Sequence, residues 1–222
     1  MNWFAAVDGY CERLGPGYWA EPVNALSNAA FLLAAVVMWR RTDGLARALV
    51  WLLAAIGLGS FLFHTHANRI SGLADVAPIL GFILLYVYAA SRDMLGMKPW
   101  AAGLAVLAVF PYAAVTVPLF GLVPGLGSSA GYAPVPVLIV IYALAVRAPA
   151  TRRGLALGAA VLILSLGFRT LDGPLCGGLP LGTHFVWHGL NAVLLGWMIE
   201  VYRRHRIAGH LAAHLAAQDA QG

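Results

Sequence analysis

The stretch Ala48–His66, ALVWLLAAIGLGSFLFHTH, decides the architecture. It runs apolar for almost its whole length, long enough for one helix to cross the hydrocarbon core of a bilayer, then ends on a serine and two histidines. Runs of the same kind recur at 23–39, 73–91, 99–117, 130–147, 153–170 and 183–202, so the pattern predicts an all-α membrane protein, a bundle of seven transmembrane helices. Composition agrees. Of 222 residues, 61% are hydrophobic and 10% charged, against about a quarter charged in soluble domains, and the mean hydropathy is +0.79. No strand-sized alternating segments suggest an outer-membrane barrel. The net charge of +5 comes from small basic groups scattered between apolar runs, which excludes a nucleic-acid surface.

Domain organisation follows from those spans: an extracytoplasmic N-terminal segment at 1–22, the membrane domain at 23–202 and a cytoplasmic tail at 203–222, read as a short interfacial helix or as disordered chain. The N-terminal MNWFAAVDGYCERLG lacks a basic region followed by an apolar one, so no cleavable leader is expected. Eleven of the fourteen Lys and Arg fall on one side of this topology; Arg13, Arg69 and Arg169 fall on the other. Positive charge stays inside, so the N-terminus is expected outside and the C-terminus in the cytoplasm.

The polar residues then converge. Ser60 and His64 are four apart on one face of the second span, near its outer end. Asp75 stands near the outer end of the third, and LGTHFVWHGLN sets His184 and His188 four apart at the outer start of the seventh. Ionisable groups inside spans are costly and mark interior sites, and three imidazoles with a fourth position open are the usual ligand set of catalytic zinc. His66 is the rival to His64, about 200° around the helix from it and without the stacked serine. His205, His210 and His214 lie on the cytoplasmic side. Beside a metal, Asp75 is expected to move a proton and Ser60 to donate to an oxyanion. Taken singly, Ser60 reads as a small helix-packing residue and Asp75 as the cap or first-turn carboxylate of the third span. Phe63, Phe185 and Trp187 are candidates to line a lipid pocket or to anchor at the interface.

At these residues the chain resembles the alkaline ceramidases, within the seven-span hydrolase superfamily that includes adiponectin-receptor-like proteins. The motifs are GSFLFHTHANRISGLAD, GTHFVWHGLN and the N-terminal DGYCERLGPGYWAEPVNALSN, together covering residues 8 to 191. The resemblance implies zinc on His64, His184 and His188, Ser60 and Asp75 as catalytic partners, and hydrolysis of ceramide-like lipids to fatty acid and sphingoid base. It also implies calcium on Asp8, Glu12, Glu21 and Asn24. Here the chain departs, because the stretch between Cys11 and Glu21 is short and Asp8 sits one position off. Without calcium, those groups read as solvated charges and a helix cap.

Cys11 and Cys176 both fall outside, where a disulfide is feasible, with two free thiols as the other reading. Asp172, near Cys176, is another outer-end carboxylate, left open between pinning the loop by hydrogen bonding and joining the site. The partners expected are the bilayer and a lipid substrate. The localisation expected is a bacterial inner membrane with the site facing the periplasm, or an ER or Golgi membrane in a eukaryote. The rival reading is a seven-span receptor or sensor with a structural metal; a transporter is disfavoured because its site would sit at the bilayer midplane.

Overall fold

Residues 2–7 and 9–220 are described by the structure, a computed structural model. Among them there is no strand beyond a lone bridge between Ala6 and Asn68. The helices are α1 (Pro22–Ser27), α2 (Ala29–Trp39), α3 (Gly44–His66), α4 (Arg69–Ala89), α5 (Pro99–Gly121), α6 (Pro134–Ala145), α7 (Pro149–Leu175) and α8 (His184–Asp219). A π-turn at Ala90–Met94 prolongs α4, and a 3-10 turn at Gly127–Gly131 leads into α6.

Six of these stretches are long and apolar enough to cross a membrane: Pro22–Trp39, Gly44–His66, Arg69–Met94, Pro99–Gly121, Gly127–Ala145 and Pro149–Leu175. The protein is therefore an all-α, multi-pass membrane bundle. α8 is long enough at 36 residues but is not among the six; His184, His188, Asn191 and Glu200 interrupt its apolar half.

Several helix ends differ from the sequence expectation for identifiable reasons. The first span is broken at Asn28, whose side chain donates to the Asn24 carbonyl at 2.8 Å and competes with the helix ladder. The third begins at Arg69 because Asn68 and Ser71 form a reciprocal capping box. Asp75 is thus neither cap nor first-turn residue but lies more than a turn inside α4. Pro134 and Pro149 open α6 and α7 at first-turn positions, where their missing N–H costs nothing. The expected break at residue 202 is absent. α8 continues through an Ala/Leu-rich stretch, with Arg203 and Arg204 paired to the buried Glu200.

Sequence neighbours pack side by side, and α8 closes the bundle by packing on α7, α2 and α3. α5 lies at the periphery and buries only Ala102. Leu104, Leu107, Val115 and Leu119 on it are more than half exposed, as lipid-facing side chains are. At one end of the bundle Arg206 meets Asp43 at 2.8 Å, and Tyr202 and His205 both bond Asp93. The other end gathers the N-terminal segment, the α3–α4 turn and the start of α8. There Gly59 has a packing role: a Cβ on it would lie 2.1 Å from the Ala74 carbonyl oxygen. That close approach of α3 to α4 sets Ser60 beside Asp75.

Candidate metal centre

His64 comes from the last turn of α3, and His184 and His188 from the first turns of α8. All three are at least 98% buried. Their ring centroids are 4.6 to 5.2 Å apart, and each offers a nitrogen within 4.8 Å of the others. His66 points outward and meets Tyr18 edge-on, while His205 lies at the far end on Thr151 and Asp93. The choice of His64 over His66 is therefore made by geometry.

The hydrogen bonds set the tautomers. His64 Nδ1 lies 2.6 Å from Glu21 Oε2, and Glu21 also accepts from Arg13 Nε at 2.5 Å. A carboxylate so placed accepts, so Nδ1 carries the proton and the lone pair is on Nε2. Ser27 reaches the same result on His188. Its one hydroxyl proton goes to the Asn24 carbonyl at 2.8 Å, so its oxygen accepts from His188 Nδ1 at 2.7 Å. His184 makes no ring hydrogen bond among the described residues; Tyr10 stacks on it with centroids 3.8 Å apart.

Among the described residues, His64 Nε2 and His184 Nδ1 are buried without a partner. A buried polar atom left unpaired costs about 1–3 kcal/mol. Two such atoms in a triad of convergent imidazoles fit a metal ion that takes nitrogen ligands. His64, His184 and His188 thus form a candidate metal site, and the chemistry of the donors suits zinc.

Ser60, buried, and Asp75, half-buried, line the cavity that holds His184 and His188. From there the cavity runs between α4, α6, α7 and α8 to Ala90, Tyr142 and Met198, with a wall that is largely apolar. Trp187 lines it, whereas Phe63 packs against Tyr10. Arg169 stands at the polar end, held by Ser128 and Ser129 and lying over the rings of Tyr132 and Trp187.

Of the two roles left open for Asp172, the structure favours pinning by hydrogen bonds: it is the anchor of this end. Its carboxylate accepts the backbone N–H groups of Thr183 (2.7 Å), His184 (3.0 Å) and Cys11 (3.1 Å). It satisfies donors at the start of α8 that no local side chain caps. Gly182 is required there: its φ is +63°, and a Cβ would lie 2.0 Å from the Asp172 carboxylate. Cys11 and Cys176 are joined in a disulfide beside it.

The residues matched to calcium are placed as follows. Asp8 lies outside the described residues. Glu12 accepts the N–H groups of Val23 (2.6 Å) and Asn24 (2.8 Å) and so caps α1 from a distance. Asn24 donates to Glu21 at 3.2 Å. Burial works to raise the Glu21 carboxyl pKa, but the bonds from His64 and Arg13 hold it below the usual carboxylate range. Sequence reasoning missed Ser27, Tyr10, Arg13 and the tie between Glu21 and His64. A serine and a tyrosine carry no signal until a fold brings them to an imidazole. No protein-family model matches this chain, and no curated protein matches it.

Proposed function

We propose that this protein is a zinc-dependent intramembrane amidase acting on ceramide-like lipids, in keeping with its resemblance to the alkaline ceramidases. The observation that carries the reading is the meeting of three buried imidazoles, a hydroxyl and a carboxylate at the head of an apolar channel. Held by His64, His184 and His188, a zinc ion would supply a Lewis acid and lower the pKa of a water to about 7.

The remaining work falls to the chain. Glu21 and Ser27 fix the imidazole tautomers. Ser60 donates its hydroxyl proton to the amide carbonyl oxygen as negative charge develops there. Asp75 accepts a proton from the attacking water and delivers it to the departing amine. Tyr10, stacked on His184, covers the ring on one side and limits access of bulk water. Along α4, Asp75 to Ala90 measures about 22 Å at 1.5 Å per residue, room for one extended alkyl chain below the scissile bond.

In this reading α8 is a seventh span. The basic end of the bundle faces the cytoplasm, the N-terminus lies outside, and the site opens to the outer face, the periplasm in a bacterial inner membrane. The test is metal content and turnover of a fluorescent ceramide in detergent, with and without a chelator. Zinc bound near one per chain, and loss of both zinc and turnover in His184→Ala, are expected. Full turnover by a zinc-free His184→Ala protein removes the mechanism. Stable zinc with no amide hydrolysis favours the receptor reading.

A further inference from the structure

The calcium that the resemblance implies does not fit the described residues. Both Glu12 oxygens are committed to the N-terminus of α1. Glu21 gives one oxygen to Arg13 Nε and the other to His64 Nδ1 and Asn24 Nδ2. The Arg13 side chain is only 5% exposed, and its other nitrogens reach the Gly15 carbonyl at 3.2 Å and the His64 carbonyl at 2.9 Å. A cation of the chain therefore sits among the oxygens a metal would need. Among the described residues, and of the Glu12, Glu21 and Asn24 side-chain oxygens, Asn24 Oδ1 alone is without a hydrogen-bond partner, whereas calcium takes about six to eight. A divalent ion beside a buried guanidinium would also meet repulsion that water cannot screen.

We propose that Arg13 is a resident cation in the N-terminal carboxylate cluster, replacing a divalent ion and positioning the His64 ligand by two routes. One runs through Glu21, which orients the ring by accepting from Nδ1. The other is the bond to the carbonyl of His64 itself, at the C-terminal end of α3, where a positive charge also complements the helix dipole. The guanidinium suits this task because its planar fork serves three oxygens at once, which a lysine ammonium at the same place does not do. The positioning half rests on the metal-centre reading; independence from calcium does not.

The test uses the full chain purified in detergent. After passage through calcium-free buffer the wild-type protein should hold no calcium, and its unfolding temperature should be the same in calcium and in EGTA. Competition with a chromophoric chelator should show zinc bound about ten- to a hundred-fold more weakly by Arg13→Gln, with Arg13→Lys recovering part of the loss. One calcium per wild-type chain together with a lower unfolding temperature in EGTA overturns the proposal, and so does wild-type zinc affinity in Arg13→Gln. Should that variant not fold, the wild-type calcium content and Arg13→Lys still decide. A wild-type protein that is folded but binds no zinc defeats the metal-centre reading and the positioning role with it, and its calcium content then judges the replacement alone.

Discussion

Asp172→Asn isolates one anchor of the metal end. The side chain is 3% exposed and accepts three backbone N–H groups, two on Oδ1 and one on Oδ2. The amide can keep its oxygen toward Thr183 and His184, but its NH2 then faces the Cys11 N–H. One charge-assisted bond, worth about 1.5–3 kcal/mol, is replaced by two opposed donors, while the surviving pair lose their charge assistance. The expected destabilisation is about 2–4 kcal/mol. For a chain of this length that lowers the unfolding temperature by roughly 4–16 °C. Because the Cys11–Cys176 bridge still tethers the same segment, the loss should grow when the bridge is reduced, so the two perturbations should not add. Thermal unfolding in detergent, with and without reductant, reads both quantities. An unfolding temperature equal to wild type, or strict additivity with reduction, would refute the assignment of Asp172 as the tie between the N-terminal segment and α8.

Ser27→Ala removes the acceptor of His188 Nδ1–H and should weaken zinc binding about tenfold or more; chelator competition giving an unchanged affinity contradicts the tautomer argument. Gly59→Ala drives a methyl into the Ala74 carbonyl and should cost about 1–3 kcal/mol by overpacking, with turnover falling as Ser60 and Asp75 separate. Gly103→Ala, inside α5 with nothing within 4 Å of its Cβ, is the control that carries the same gain in helix propensity without the clash, and equal unfolding temperatures for the two variants would count against the close α3–α4 approach. Reducing the Cys11–Cys176 bridge, which spans 165 residues of sequence, should destabilise the protein by about 2–5 kcal/mol; a scan unmoved by reductant argues against that role.

Six of the seven expected spans were legible because apolar length is a local property that a bilayer imposes on any helix crossing it. The i, i+4 histidine pair was legible for a similar reason, since helix periodicity alone puts His184 and His188 on one face. Asp75 was placed at the right end of the bundle, and only its alternative reading as a cap or first-turn residue fails. The capping box at Asn68 and Ser71 starts α4 earlier than the apolar run does, and caps of this kind sit outside the hydropathy signal. The tail at 203–222 was separated from the last span for the converse reason. Hydropathy drops after residue 202, but helix propensity does not, so the backbone continues to Asp219.

Glu21 shows where sequence reasoning stops. Its type and position fit a hard-cation ligand as well as a partner for His64, and both readings need the same ionised carboxylate. What separates them is Arg13 Nε at 2.5 Å and His64 Nδ1 at 2.6 Å, distances set by how the N-terminal segment folds across the end of α3. From the residues alone came the apolar helices, the clustering of basic charge and the spacing of the His184–His188 pair, all governed by periodicity and by transfer of side chains out of water. Which nitrogen each imidazole presents, which carboxylate caps a helix and which holds a ring were decided only in three dimensions. Those assignments depend on hydrogen-bond directions between residues up to 161 positions apart, and no local pattern encodes them.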